Sequence, residues 1–280
     1  MTETNTLRPT VGIVVPTVDN SFFSRLADCA AGCLYEAGYD ALILSSANSA
    51  ECEKEHLRTL AAAGVEGILC VSGLSALPDD LLPDDLPLVW MDRRPASKRE
   101  IPFVANDDQA AMAEATEYLI GRGCEKIVLM PGYLAETRTS PRVTGYEEAL
   151  RAHGLTPDPA YILNRPGKRS SEEETEELVR GLMGRGMAVD AIITSSDRAA
   201  FGVVTALHRV GFYVPEDVKL ISFDNTPYSA MASPAITALD RNPRLLAETA
   251  CRRLLDVIAG QPVPHETIIP VSLCRRDSTR

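Results

Sequence analysis

VGIVVPTVDNSFFSRLADCAAGCLYEAGYDALILS, residues 11–45, holds the alternation that decides the fold. VGIVV (11–15) is a continuous apolar run, mostly β-branched, and ALILS (41–45) is a second. Between them stand a polar loop, an amphipathic stretch that predicts a helix near 22–37, and Gly38, where a helix wants a left-handed residue to close it. Apolar runs without a polar alternate suit strands covered on both faces, as in a parallel sheet.

The unit recurs along the chain. A helix near 50–63 precedes GILCV (67–71), PLVWM (87–91) and PFVA (102–105). The series then restarts, with helices near 108–122, 142–153, 172–185 and 198–210 alternating with KIVLM (126–130), YIL (161–163), AIITS (191–195) and KLISF (219–223). AITAL (235–239), a helix over about 244–259 and ETIIPVSL (266–273) close the chain. Gly64, Gly123, Gly154 and Gly211 stand past predicted helix ends as Gly38 does. The pattern predicts a doubly wound α/β architecture repeated in two lobes, each within the usual size of a domain. No Gly/Ser/Pro-rich linker separates the halves, which points to several short crossovers and a hinge.

Composition narrows the function. The 280 residues carry 28 Lys and Arg against 39 Asp and Glu, a net charge of −11. Duplex DNA is held by cations on its phosphates, so the chain by itself is a poor DNA ligand. SEEETEE (171–177) is the one dense acidic run, read as a solvated helix start whose charges suit the helix dipole. No run is long enough to span a bilayer, and MTETNTLRPT lacks the apolar core of a secretory signal. The seven cysteines (29, 33, 52, 70, 124, 251, 274) are odd in number, scattered and without a CxxC pair, which fits a reducing cytoplasm better than a disulfide or zinc framework.

Ligands of open α/β sheets bind beyond the carboxyl ends of the strands. VGIVV is followed by Asn20, Phe22 and Phe23, and PLVWM by Asp92-Arg93-Arg94. KIVLM leads to a loop ending at Arg142, AIITS to Ser196, Asp197 and Arg198, and KLISF to Asp224 and Asn225. Carboxylates accept from hydroxyls, guanidinium donates as a fork and an aromatic covers an apolar ring face, so the set suits a polyhydroxylated or heterocyclic ligand. Structural readings compete at several positions. Asp197 is a natural N-cap for a helix from Arg198, Asp19, Asn20 and Ser21 are each eligible caps, and Phe23 is the ring expected to face inward. Asp92, Arg142 and Asp224 are read as ligand groups, with Asp–Arg pairing across the cleft as the alternative.

Catalytic signatures are scarce. The chain has no GxxxxGK loop, no HExxH and no GxSxG, and GLMGRG (181–186) ends a helix rather than opening one. The four histidines (56, 153, 208, 265) fall away from the strand ends. No enzyme activity, cofactor or metal is therefore expected.

Longer stretches carry a family resemblance. The opening run through residue 46, MDRRP (91–95), VANDD (104–108), RVTGYEEALRAHGL (142–155), the segment from DRAAFGVV at 197 through GFYVPEDVKLISFDN to SPAITALDRNP at 243, and IIPVSLCRRDS (268–278) resemble, in order, the effector-binding domain of LacI/GalR-type transcription regulators. The resemblance implies a periplasmic-binding-protein-like fold of two Rossmann-like lobes joined by three crossovers near 105, 240 and 266. It places 1–8 in a disordered tail, 9–105 plus about 240–266 in the N-terminal lobe, and 106–239 plus about 267–280 in the C-terminal lobe. By position it implies Phe22, Asp92, Arg142, Ser196 and Asp224 as effector contacts, with Asn20 and Arg138 subsidiary. It further implies a sugar-like or nucleoside-like effector in the interlobe cleft, a homodimer, and DNA contact only through a separate helix-turn-helix head, for which the residues before the first strand are too few. A solute receptor of an uptake system is the alternative on the same fold. Three positions depart from the family pattern: Ser21 replaces a proline, Gly123-Cys124 a Gly-His, and Ser196 an asparagine.

Overall fold

The computed structural model of the chain describes residues 8–132, 140–165 and 171–280. The chain divides into two compact units, one comprising the chain up to Asn106 with Asn242–Ile269, the other Asp107–Arg241 with Pro270–Arg280.

The first unit is built on β1 (Thr10–Val15), β2 (Asp40–Ser45), β3 (Gly67–Cys70), β4 (Leu88–Met91), β5 (Phe103–Asn106) and, from the end of the chain, β10 (Glu266–Ile269). These run in the order β10-β5-β4-β3-β1-β2, with every pairing parallel. Helices α1 (Ser21–Glu36), α2 (Ala50–Ala62) and α8 (Pro243–Ile258) complete the unit. Successive side chains of a strand point to opposite faces. Val89 and Met91 accordingly join the core of α1 and α8, while Leu88 and Trp90 join the core of Leu57 and Leu60 from α2. This is the reason the inner strand runs carry no polar alternate; ALILS departs from the expected cover on both faces, because β2 is the edge strand and leaves Leu42 and Ile43 exposed.

The second unit holds β6 (Ile127–Met130), β7 (Ala191–Thr194), β8 (Lys219–Phe223), β9 (Thr237–Asp240) and β11 (Ser272–Cys274), in the order β11-β9-β8-β7-β6. Helices α3 (Asp108–Ile120) and α4 (Pro141–Ala152) pack together, as do α5 (Ser171–Gly184) and α6 (Asp197–Arg209), and a short α7 (Pro227–Met231) follows β8. Ile127 and Leu129 face the core of α3 and α4, and Val128 and Met130 face that of α5 and α6. Two glycines set the helix spacing. A Cβ on Gly145 of α4 would strike the Gln109 carbonyl of α3, and one on Gly202 of α6 would strike the Glu172 carbonyl of α5.

Four expectations are corrected. ETIIPVSL is two strands, not one: Pro270 has no N–H for a ladder, so β10 ends at Ile269 in the first unit's sheet and β11 begins in the second's. β11 pairs antiparallel with β9, the one such pair among the described strands. YIL forms a 3-10 turn over Pro159–Tyr161 and a single bridge from Ile162 to Leu129 in place of a strand. SEEETEE opens α5, but Glu174 and Thr175 are buried while Glu173 and Glu177 face solvent, because a helix start packed on α6 turns one side inward. Of the expected 1–8 tail, residues 1–7 lie outside the described residues, and Arg8 stacks over the Tyr35 ring 4.3 Å from its centroid.

Candidate functional site

In the first unit the strand-end groups are Asn20, Phe22, Phe23, Asp92 and Arg93. Asn20 is the N-cap of α1, its side chain accepting from the Phe22 amide at 2.8 Å. The two phenylalanines exchange the roles expected of them. Phe22 is 1% exposed and belongs to the core of α1 and α8, while Phe23 is half-buried and meets Phe22 edge to face at 5.4 Å. The cause is helical phase: Phe22, Leu26 and Ala30 share the buried stripe of α1, and Phe23 lies 100° round from it. The Arg93 guanidinium stands 5.4 Å from the Phe23 centroid, so Phe23 is the aromatic on the polar side.

Asp92 follows β4 with φ of 60°. Left-handed backbone is rare outside glycine, and Asp tolerates it better than most residues. The Asp92 amide donates to the Val104 carbonyl of β5 at 2.8 Å, and one carboxylate oxygen lies 3.6 Å from Arg93 Nε. Beneath this edge, Glu53 of α2 is buried. It accepts from Ser72 Oγ at 2.5 Å and from the Gly73 amide at 2.7 Å, tying α2 to the loop after β3. Burial pushes the Glu53 carboxyl above the ordinary range, and the bonds from Ser72 and Gly73 partly offset it.

In the second unit the strand ends converge on the ring of Phe223. Arg142 lies 3.9 Å over its centroid, donates from Nε to Asp108 at 2.8 Å and from Nη1 to the Ser195 carbonyl at 3.4 Å. Arg241 stands 5.4 Å from the same centroid and pairs with Asp224 at 3.6 Å, both side chains being 4% exposed. Asp224 has φ of 98°, and its amide donates to the Leu239 carbonyl of β9 at 3.0 Å. Next to it Asn225, at φ 52°, bridges Asp240 (3.0 Å) and the Arg276 guanidinium (2.6 Å).

Ser196 and Asp197 also exchange roles. Ser196 caps α6, its hydroxyl accepting from the Ala199 amide at 3.3 Å. Asp197 is the first helical residue rather than the cap; it is buried, takes the Ser222 hydroxyl, and accepts from both the Thr226 amide and hydroxyl at 2.6 Å. Burial raises its pKa, with the Ser222 and Thr226 bonds in opposition. Arg138 lies outside the described residues.

The structure thus gathers Arg142, Ser196 and Asp224 at the carboxyl end of the second sheet, and Asn20 and Asp92 at that of the first, with Phe22 in the core. The Asp92–Arg93 pair belongs to the first unit, and the Arg142–Asp108 and Asp224–Arg241 pairs belong to the second. Arg241 was missed, though it stands two residues past AITAL, next to Asp240; reading the strand end after AITAL as the others were read would have found it. Phe223 was hidden because it is itself a strand residue. Among the described residues no cluster of three His, Cys, Asp or Glu is placed to hold a metal. A cavity of about 380 Å³ opens instead at the amino end of β6, lined in part by Lys126, Tyr146, Asp158 and Tyr161. The Tyr146 hydroxyl there is spent on the Ile127 carbonyl at 2.6 Å.

Comparison with known proteins gives consistent results. A family model described as periplasmic binding protein-like domain matches residues 116–279. The HTH-type transcriptional regulator MalR of Streptomyces coelicolor is 28% identical over 278 residues, covering 96% of this chain and 80% of MalR. The crystal structure of the transcription regulator CcpA of Lactococcus lactis is 25% identical with a TM-score of 0.86, covering 98% of this chain and 100% of CcpA. A periplasmic binding protein/LacI transcriptional regulator from Alkaliphilus metalliredigens, solved with D-xylulofuranose, is 25% identical with a TM-score of 0.85, covering 97% of this chain and 99% of that one.

Proposed function

We propose, on the premise that the chain belongs to the periplasmic binding protein-like family as the effector-binding domain of a LacI/GalR-type transcription regulator, that it binds a small sugar-like effector with strand-end groups from both of its units. The observation that carries this reading is the pair Asp92 and Asp224, each held on left-handed backbone directly after a strand, its amide anchored to the next strand and its carboxylate beside a guanidinium. Backbone of this kind costs energy and persists where the site needs the side chain in that place. Carboxylates and guanidinium groups at strand ends recognise hydroxyls, and the D-xylulofuranose held by the Alkaliphilus protein supports a polyhydroxylated ligand.

Effector binding, on this reading, alters how a separate helix-turn-helix head meets DNA in a homodimer whose two-fold symmetry matches that of an operator. The net charge of −11 leaves DNA contact to that head. The domain acts in the cytoplasm, without catalysis; among the described residues no helix is long and apolar enough to cross a membrane. The test is titration calorimetry against pentoses, hexoses, disaccharides and nucleosides, with Arg142→Ala and Asp92→Ala run beside the wild type. Saturable binding of a sugar by the wild type, weakened at least about tenfold in each folded variant, is expected from an unpaired polar contact worth about 1–3 kcal/mol. Equal affinity in both variants sinks the site.

A further inference from the structure

Three of the seven cysteines meet where α1 packs on α8. Cys29 and Cys33 stand one turn apart on α1, half-buried, and Cys251 of α8 is 2% exposed within the same core. The Cys251 thiol lies 3.5 Å from the Ala30 carbonyl, between the turns that carry Cys29 and Cys33, and both of those side chains pack against the core cluster that holds it. The other four are placed differently. Cys52 contacts His56, Cys70 is buried beside Glu53, and Cys124 and Cys274 belong to the second unit.

We propose that Cys33 and Cys251 form a reversible disulfide that pins α1 to α8 when the protein meets a peroxide. The Cys33 thiolate, the one with an opening to solvent, attacks a peroxide oxygen. The O–O bond breaks, hydroxide or alkoxide leaves, and Cys33 becomes a sulfenic acid. The Cys251 sulfur, giving up its proton, then attacks the Cys33 sulfur, and the S–O bond breaks with loss of water. Two thiols and one peroxide yield one disulfide and two molecules of water, or one of water and one of alcohol. The two sulfurs lose two electrons to the peroxide, and a dithiol reverses the step.

Cys29 is not the partner of Cys33, because both lie on one rigid helix, where a bridge would have to distort the turn between them. Burial raises all three thiols, assisted by Glu36 on α1 and Glu248 on α8 at Cys33. The reaction is therefore slow at neutral pH and speeds up as the pH rises. The bond joins residues 218 apart in sequence, one in each of the two segments that compose the first unit.

The experiment treats residues 1–280 with hydrogen peroxide, blocks remaining thiols in the native state with N-ethylmaleimide, and maps peptides without reduction. Expected are a Cys33–Cys251 linked peptide in a chain that still migrates as a monomer, loss of two of the seven free thiols, and their return with dithiothreitol. Cys33→Ser and Cys251→Ser abolish the link, and Cys29→Ser retains it. Oxidation raises the melting temperature of wild type and Cys29→Ser by about 5 °C or more and leaves Cys33→Ser unmoved. Oxidation of Cys33 that stops at the sulfinic acid, a link between molecules, or a link formed only in denaturant each overturns the proposal. Should Cys251→Ser not fold, Cys33→Ser alone decides.

Discussion

Both units place an aspartate at the same point of their sheets, and they treat it differently. Asp92 follows β4 and Asp224 follows β8, each the third strand in from the edge that the chain's final segment supplies, in the orders β10-β5-β4 and β11-β9-β8. Both amides donate to the carbonyl of the neighbouring strand and both backbones are left-handed. The partners part company. Asp92 faces its neighbour in sequence, Arg93, whose side chain is 34% exposed, whereas Asp224 faces Arg241, 4% exposed. In the first pair the guanidinium keeps an opening to water, although the Asp92 carboxylate is itself 7% exposed. The second is part of the unit's interior, with Arg241 standing over Phe223 on the way. A shared backbone device therefore sets its aspartate against a partly exposed guanidinium in one unit and a buried one in the other.

Removing the charge at each aspartate tells these settings apart. Asn keeps the tolerance for left-handed backbone, so Asp224→Asn and Asp92→Asn change the carboxylate alone. Asp224→Asn leaves Arg241 with its facing charge gone and is expected to cost about 3–5 kcal/mol in urea unfolding. Asp92→Asn, beside a partly exposed guanidinium, is expected to cost about 1 kcal/mol or less. Equal costs would show that the two pairs are alike in burial, and the comparison would fail.

The phenylalanines sharpen the same contrast within one unit. Phe22→Ala empties a site in the core of α1 and α8 and should cost about 3–5 kcal/mol. Phe23→Ala removes a half-buried ring under Arg93 and should cost clearly less while weakening effector binding. A stability loss at Phe23 matching that at Phe22, seen by calorimetric melting, would reverse the assignment made from helical phase.

The fold was legible because its information is local and repeated. Apolar runs of four to six residues, most of them leading to a helix closed by a residue such as Gly211 (φ 82°), determine strand type and order of elements without reference to distant partners. Pro270 was equally local, a ladder breaker inside an apolar run, and it was passed over. The candidate site was legible in outline, since strand ends are known once strands are. What stayed hidden was the partner of each group. Sequence cannot tell that Arg142 spends Nε on Asp108, 34 residues away, or that Ser196 rather than Asp197 caps α6, because these depend on helix phase and side-chain direction.

A buried carboxylate completes the parallel between the units and gives the smallest effect. Glu53 ties the start of α2 to Ser72 and Gly73, and Asp197 ties the start of α6 to Ser222 and Thr226. In both, burial raises the folded-state pKa above the unfolded value, with the hydrogen bonds in opposition. A raised carboxyl means that the folded state holds its proton to higher pH than the unfolded chain does. The contribution is thus fully present below the unfolded pKa of about 4 and is lost as pH rises through the folded value. Unfolding free energies measured by urea from pH 7 downward should show wild type gaining on Asp197→Asn as the pH approaches that window, after any difference at pH 7 is subtracted. The same should hold for Glu53→Gln in the first unit, so the two slopes have one sign. Opposite slopes would mean that one carboxylate is held ionised by its donors despite burial, and the two helix starts would then be alike in geometry only.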